Sequence, residues 1–196
     1  NILTDHTTII NELEKSIKFY NLDFILSFLP KGSYLVGGYI RNIILGRVTE
    51  EVDVDIVVPL NAIEIGKKIS DSIGSKFIIL DKKREVVRII LDNISIDIAN
   101  QVSSTIEGDL SSRDFTINSI AFLFDEQCLF DPLNGLKDLE YSLLRTFSEI
   151  NPFDNFGANS DKQYRVLHKS ASIISVPQQL FGERIKPKSI RLVDDS

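Results

Sequence analysis

The sequence predicts an α+β domain in which a mixed sheet carries helices mainly on one face. Two stretches repeat apolar residues at the three- and four-residue spacing of amphipathic helices, and five short runs rich in Val and Ile have the composition of strands. The last two runs are separated only by Asp92-Asn93, which predicts a tight hairpin turn. The helical stretches span residues 7–29 and 61–73, and the strand-like runs span residues 34–36, 52–58, 77–80, 86–91 and 94–99.

The two helical stretches have recognisable ends. The first breaks near residues 21–23, where polar residues interrupt the apolar repeat, and we expect both of its parts to pack on the sheet. The second follows Pro59, which ends the preceding strand. Asn61 is the expected side-chain cap at its start, and Gly74 is its expected stop.

Length and composition describe one domain with room for a small appendage. The chain has 196 residues, of which 43% are hydrophobic, and this is enough for a substantial core. A net charge of −6 argues against a broadly basic nucleic-acid-binding protein, although it leaves room for a local basic patch. One cysteine and two histidines exclude an internal disulfide framework and disfavour a zinc site. We expect that cysteine, Cys128, to be a buried structural thiol.

No part of the sequence predicts a membrane association. No stretch approaches the roughly 20 consecutive apolar residues that cross a bilayer. The first residues also lack the charged and apolar segments of a signal peptide. We therefore expect a cytoplasmic protein with no membrane partner.

Residues 35–59 hold the first candidate site. An apolar run stops at Gly37-Gly38, and a short helical pattern follows until Gly46. Free backbone N–H groups and the positive end of the helix dipole lie together at such a helix start, where phosphate groups bind. The two glycines would let phosphates approach the backbone, and Arg41 would add a planar cationic fork. Taken alone, the same pattern also describes an ordinary strand-to-helix turn.

Two acids follow on the next strand. The segment from Val52 to Val58 alternates and then becomes continuously apolar, so Asp53 and Asp55 project from the same face. Adjacent carboxylates repel, and hard oxygen ligands on a rigid strand suit Mg²⁺. A solvent-facing polar edge explains an isolated Asp-x-Asp equally well, but the glycine turn before this pair favours a metal site.

Asp97 is the third candidate acid. It stands among isoleucines in the run from Ile94 to Ala99. A carboxylate in such a run is costly unless it is paired, bound to a metal or turned to solvent. The sequence leaves these three possibilities open.

Residues 109–124 hold a second polar cluster, which opens a buried strand. Arg113 offers a guanidinium for phosphate, and Asp114 and Asn118 can bond to ribose hydroxyls. The alternative is a turn stabilised by a network between Arg113 and Asp114, because such local polar bonding is common.

These two segments resemble the signatures of the tRNA nucleotidyltransferase and poly(A) polymerase family, the bacterial-type class of the DNA polymerase beta superfamily. The first signature reads Gly-Gly-x-[Val/Ile]-Arg-[Asp/Asn]-x-x-Leu-Gly followed by Asp-x-Asp, and the second reads Asp-Leu-x-Arg-Arg-Asp-Phe-Thr-Ile-Asn. The loop before the acids is two residues longer here, so strict spacing would select Glu51 and Asp53. Asp53 and Asp55 instead keep the apolar run behind the second acid, and we prefer this pair. Ser112 replaces the first arginine of the second signature.

The resemblance implies a polymerase beta-like nucleotidyltransferase fold over about residues 30–145 and assigns roles to the matching residues. Asp53, Asp55 and Asp97 would be the catalytic acids and the ligands of Mg²⁺. The residues that would bind the nucleotide are Gly37, Gly38, Arg41, Arg113, Asp114, Asn118 and Arg165.

The resemblance weakens towards the end of the chain. Residues 130–145 match the family segment that links the catalytic head to a helical neck, and we expect a turn followed by a helix with a hinge role. The family then uses Glu-Asp-x-x-Arg to recognise the incoming base; here Arg165 is kept, but Lys162 stands at the position of the acid. We therefore divide the chain into a head, residues 1–147, and a short, divergent neck remnant or tail, residues 148–196.

The resemblance implies template-independent addition of CMP or AMP to the 3′ end of RNA, with ATP or CTP as donor and tRNA as the expected acceptor. A separate chain is expected to supply tRNA-binding function, because the long helical body of the family is missing. The main alternative is a catalytically impaired relic that still binds RNA or a nucleotide. A minimal transferase acting on a protein or small molecule is a further alternative, and the Arg-Asp-Phe-Thr-Ile-Asn motif argues against it.

Overall fold

The computed structural model describes residues 2–47 and 51–145, together with the backbone of Arg191–Leu192. The helices in these ranges are α1 (His6–Phe19), α2 (Leu22–Leu26), α3 (Gly38–Ile44), α4 (Ala62–Ile73), α5 (Ile106–Ser111) and α6 (Gly135–Glu140), with a 3₁₀ turn at Thr116–Asn118. The strands are β1 (Tyr34–Val36), β2 (Val52–Val58), β3 (Lys76–Asp81), β4 (Val86–Leu91), β5 (Ile94–Asn100), β6 (Ala121–Leu123), β7 (Cys128–Phe130), β8 (Leu143–Leu144) and β9 (Arg191–Leu192).

Seven of the strands form one mixed sheet in the order β3-β4-β5-β2-β1-β6-β7. Strands β2 and β5 pair in parallel, whereas the other neighbours in this sheet are antiparallel. Strands β8 and β9 form a separate parallel pair. The predicted strand runs and the hairpin turn between β4 and β5 are confirmed, and Asp92 in that turn has a positive φ of 51°.

The main core lies between one face of the sheet and helices α1 to α4. The alternating residues of β2 and β5 on this face are buried, and they pack against apolar residues of all four helices. Helix α6 reaches the same core through Leu139. The prediction of helices mainly on one face is therefore confirmed. No helix in the described parts of the chain is long and apolar enough to cross a membrane.

A second, smaller cluster lies on the opposite face. Tyr34, Val36 and Val57 of the sheet pack there against Leu110 of α5 and Ala121. Burial raises the pKa of the Tyr34 hydroxyl well above its usual range. Helix α5 thus covers one end of a sheet face that also carries the candidate acids.

Of the two predicted ends of α4, the stop is confirmed and the side-chain cap is not. Gly74 ends α4 with a φ of +65°, as expected. Asn61 precedes the helix, but it has a φ of 64° and its side chain makes no capping bond. The first N–H of the helix, that of Ala62, instead donates to Oδ1 of Asn100 at 2.9 Å. Cys128 was predicted to be buried, but it lies half-buried on β7.

The predicted turn and helix after β7 are present and are tied to the second polar cluster. The carboxylate of Asp131 accepts the backbone N–H groups of Gly135 and Leu136 at 2.7 and 2.9 Å, and it thereby caps α6. A Cβ atom at Gly135 would lie 2.3 Å from the backbone oxygen of Thr116. Glycine at this position therefore allows α6 to contact the 3₁₀ turn directly.

Gly135→Ala should destabilise the fold by about 3 kcal/mol or more, because the new methyl group meets rigid backbone and overpacking of this kind is costly. Gly74→Ala is a matched control that tests conformation without collision, because nothing lies within 4 Å of a Cβ there and only the positive φ is strained. We expect it to cost about 1 kcal/mol. Urea unfolding of both variants measures the difference, and an equal or smaller loss for Gly135→Ala would contradict the close packing of α6.

Candidate active site

The parallel pairing of β2 with β5 brings the predicted acids together. Asp55 lies opposite Asp97 in the register, and Asp53 lies opposite Ser95. The residues between the acids are buried in the main core, so the acids project from the other face, where Asp53 is exposed and Asp55 and Asp97 are half-buried. Glu51 lies before the first residue of β2. The register therefore places Asp55 beside Asp97 and leaves Glu51 outside the pairing.

Arg88 on β4 is the site residue that the sequence prediction missed. It lies opposite Asp97 in the antiparallel pairing of β4 with β5. Its Nε and Nη2 atoms donate to the two carboxylate oxygens of Asp97 at 2.6 and 2.7 Å. This bidentate pair explains how a carboxylate is tolerated among isoleucines. The signal in the sequence was an arginine inside the apolar run of β4, the counterpart of the aspartate in β5.

The ion pair also changes the prediction for the metal. Within residues 2–47 and 51–145, no three His, Cys, Asp or Glu side chains are grouped closely enough to hold a metal ion together. Asp53 and Asp55 supply the hard oxygen atoms that Mg²⁺ prefers, on one face of one strand. Asp97, in contrast, is engaged by Arg88. The chemistry of the Asp53 and Asp55 pair fits Mg²⁺, and a third ligand would require Asp97 to change partner.

The glycine turn lies against the side chain of Asp55. Gly37 has a φ of +85°, which favours glycine, and it precedes α3. A Cβ atom at this position would lie 2.8 Å from Oδ2 of Asp55. The absent side chain therefore makes room for the Asp55 carboxylate, in addition to the expected approach of a phosphate. A Cβ atom at Gly38 would lie 3.3 Å from Nη2 of Arg41.

Arg41 joins the first segment to the second. It is only 2% exposed, and its Nη1 donates to Oδ1 of Asn118. Nδ2 of Asn118 in turn donates to Oδ1 of Asp114 at 3.2 Å. Burial lowers the pKa of the Arg41 guanidinium to about 10, and the charges of Asp114 and Asp55 oppose this change. Arg41 is thus a buried cation that stays protonated at neutral pH.

Arg113 has a different partner from the one considered in the sequence. Its Nη2 lies 3.7 Å from Oδ2 of Asp109, and Oδ1 of Asp109 accepts the backbone N–H of Val102 at 3.0 Å. Asp114 bonds to Asn118 instead. Ser112, which replaces the first arginine of the signature, bonds to the carbonyl oxygen of Asp109 at the end of α5.

The structure therefore brings two groups of predicted residues together. One is the row of acids, and the other is the network formed by Arg41, Asp114 and Asn118. The two meet at the glycine turn, because Gly37 contacts Asp55 and begins the helix that carries Arg41. Arg165 and Lys162 lie outside the described residues, as does most of the predicted tail.

Comparison with known proteins gives a consistent result. Residues 33–145 match the family model for the poly A polymerase head domain. The CC-adding tRNA nucleotidyltransferase of Synechocystis sp. is 39% identical over 132 residues, which are 67% of this chain and 32% of that protein. The CC-adding enzyme of Geobacter sulfurreducens is 31% identical over 180 residues, covering 83% and 40%, respectively. This chain thus spans about a third of the length of such curated relatives.

Solved structures show the same likeness. A CCA-adding enzyme in complex with ATP superposes with a TM-score of 0.57 and 30% identity, over 70% of this chain and 33% of that one. A tRNA-processing enzyme with CTP also has a TM-score of 0.57, with 27% identity over 72% of this chain and 38% of that one. Both confirm the predicted fold.

Asn118→Ala should lower the free energy of unfolding by about 1–3 kcal/mol, because it removes the acceptor of a buried, charged donor. Asn42→Ala is the matched control, since Asn42 is a half-buried asparagine of α3 outside this network. Urea denaturation monitored by circular dichroism compares the two variants with the parent chain. A loss no larger for Asn118→Ala than for Asn42→Ala would show that the network adds nothing to stability.

Proposed function

This chain belongs to the poly A polymerase head domain family, and from this premise we propose that it is the catalytic head of a tRNA nucleotidyltransferase. The proposed reaction is template-independent transfer of CMP or AMP to the 3′ end of tRNA. The observation that carries the proposal is the in-register row of Asp55 and Asp97 beside the Gly37 turn. The names of the relatives, which include CC-adding enzymes and the A-adding tRNA nucleotidyltransferase of Deinococcus radiodurans, support the choice of CTP or ATP as donor and tRNA as acceptor.

The metal enters this proposal through the acids. Asp53 and Asp55 would hold Mg²⁺. A bound Mg²⁺ ion would neutralise negative charge on the transferred phosphoryl group. The family is one of nucleotidyltransferases, and the donor set of two strand carboxylates fits a hard cation. Asp97 would become the third metal ligand once its carboxylate releases Arg88 and binds the metal.

The remaining steps fall to residues of this chain. Gly37 and Gly38 would admit the triphosphate to the backbone, with the buried cation of Arg41 behind them. Asp97 would accept the proton of the attacking 3′ hydroxyl, whose oxygen forms a bond to the α-phosphorus as the bond to pyrophosphate breaks.

Arg113, Asp114 and Asn118 would bind the ribose and the triphosphate, and Arg165 would contact the base. We also propose that a separate chain supplies tRNA-binding function and that the protein is cytoplasmic.

A catalytically impaired relic of the family is the second candidate. The observation that favours it is the engagement of Asp97 by Arg88, together with Ser112 at the place of a signature arginine. Such a relic would still bind nucleotide or RNA. It would transfer nothing.

Asp53→Ala combined with Asp55→Ala should reduce incorporation of labelled CTP or ATP into tRNA lacking its 3′ end by at least about a thousandfold. Metal binding contributes several kcal/mol to such a transition state, and each 1.36 kcal/mol is tenfold in rate. Glu64→Ala combined with Asp71→Ala is the control, because it removes two acids from the surface of α4 and leaves the site intact. Labelling by the parent and the control, but not by the site variant, is the expected result. A parent chain that binds CTP but labels no RNA would support either the relic or an enzyme that lacks its separate tRNA-binding chain.

Metal binding can be measured apart from activity. Because Mn²⁺ accepts the oxygen ligands that suit Mg²⁺, electron paramagnetic resonance of Mn²⁺ reports occupancy of the site. We expect the parent chain to bind Mn²⁺ and the double variant Asp53→Ala and Asp55→Ala to lose this binding. The resonance of free Mn²⁺ weakens when the ion binds, so the parent chain should reduce this resonance and the double variant should leave it unchanged. An equal reduction by the double variant would place the metal elsewhere.

A further inference from the structure

Arg88 stands at one end of a row that crosses the sheet. The strand registers align Val36 with Asp55, Asp55 with Asp97, and Asp97 with Arg88. The glycine turn that follows Val36 therefore lies at one end of the row, and the guanidinium lies at the other. The two acids separate them.

This order gives the two ends different roles in an in-line displacement. In phosphoryl transfer the attacking and leaving oxygens lie roughly in line on opposite sides of the phosphorus. With the triphosphate at the Gly37 end, pyrophosphate leaves on that side. The 3′ hydroxyl of the acceptor must then approach from the opposite side, where Arg88 lies.

The state of Arg88 suits a phosphate ligand on that side. Its side chain is 33% exposed, so solvent and ligands can reach it, while the bonds to Asp97 fix its plane. A planar, permanently charged fork is the side chain that proteins use for bidentate contact with phosphate.

The surroundings on β4 point the same way. Arg88 belongs to the β3–β4 hairpin, whose turn exposes Lys82, Lys83 and Arg84. These cations stand on a chain whose net charge is −6. The hairpin is therefore a local basic patch of the kind that attracts the RNA backbone.

We propose that Arg88 binds the last phosphodiester of the acceptor RNA and so positions the 3′ hydroxyl beside Asp97. Asp97 holds the guanidinium in place before RNA arrives. This inference rests on the proposed function and adds to it a residue that selects the acceptor and does not contact the donor nucleotide.

The test pairs a protein variant with an altered RNA. A synthetic acceptor minihelix ending in the nucleotides that precede the tRNA 3′ terminus is compared with the same RNA carrying a neutral methylphosphonate at its last linkage. Fluorescence anisotropy measures the affinity of the parent chain, Arg88→Gln and Arg84→Gln for both RNAs. Arg84 is the control, because it is an exposed arginine of the same hairpin whose side chain is 75% accessible.

We expect neutralising the last linkage to weaken binding to the parent chain and to Arg84→Gln by about tenfold, the value of one charge-assisted hydrogen-bonded contact. Arg88→Gln should bind the normal RNA about tenfold more weakly and should lose less than twofold further with the methylphosphonate. Its plot of log affinity against log salt should also be shallower by about 0.7 to 0.9, the contribution of one phosphate contact. Arg88→Lys, which keeps the charge but not the fork, should lie between the parent and Arg88→Gln.

The outcomes separate the inference from the function on which it rests. Binding of CTP with Mg²⁺ is measured on the same samples, and urea unfolding shows that each variant is folded. If the parent binds CTP and RNA but Arg88→Gln keeps the full methylphosphonate penalty, the inference is overturned and the proposed function stands. If the parent binds neither CTP nor RNA, the proposed function fails and the inference fails with it.

Discussion

The candidate site of this protein depends on the parallel pairing of β2 with β5. The pairing sets Asp55 beside Asp97, and the register is fixed by the apolar residues on the other face of the same strands. A slip of one residue would turn the aspartates into the main core and expose the isoleucines and valines, which is prohibitively costly. The core therefore determines where the acids stand. The hydrophobic effect, acting on one face, specifies the electrostatics of the other.

The site face is acidic, and the structure balances that acidity with cations placed in the fold itself. Arg88 bonds to Asp97 from the neighbouring strand, and Arg41 lies buried beneath the glycine turn. The burial of Arg41 is tolerated because Asn118 accepts one of its N–H groups and because Asp114 lies nearby. Two segments about 75 residues apart in the sequence thus hold each other in place.

The sequence predicted those parts of the site that depend on local periodicity. Alternation along one strand is sufficient to place Asp53 and Asp55 on one face, and the glycines are sufficient to mark a turn before a helix. It could not predict partners that meet through pairing between strands. Arg88 lies on β4 and Asp97 lies on β5. Only the register of these two strands shows that the two side chains meet. The prediction that Asn61 caps α4 was wrong for the same reason. The cap comes from Asn100, which is distant in the sequence.

The 3₁₀ turn Thr116–Asn118 within the second polar segment is held at both of its ends, and this links the site to the rest of the chain. At one end Asn118 bonds to Arg41. At the other, the hydroxyl of Thr116 donates to the buried carboxylate of Asp138 on α6, and the backbone N–H of Thr116 donates to the carbonyl oxygen of Arg145 at 3.0 Å. Only the buried Ile117 lies between these two anchors. The turn is therefore the link through which hydrogen bonds connect α6 with the cation beneath the glycine turn.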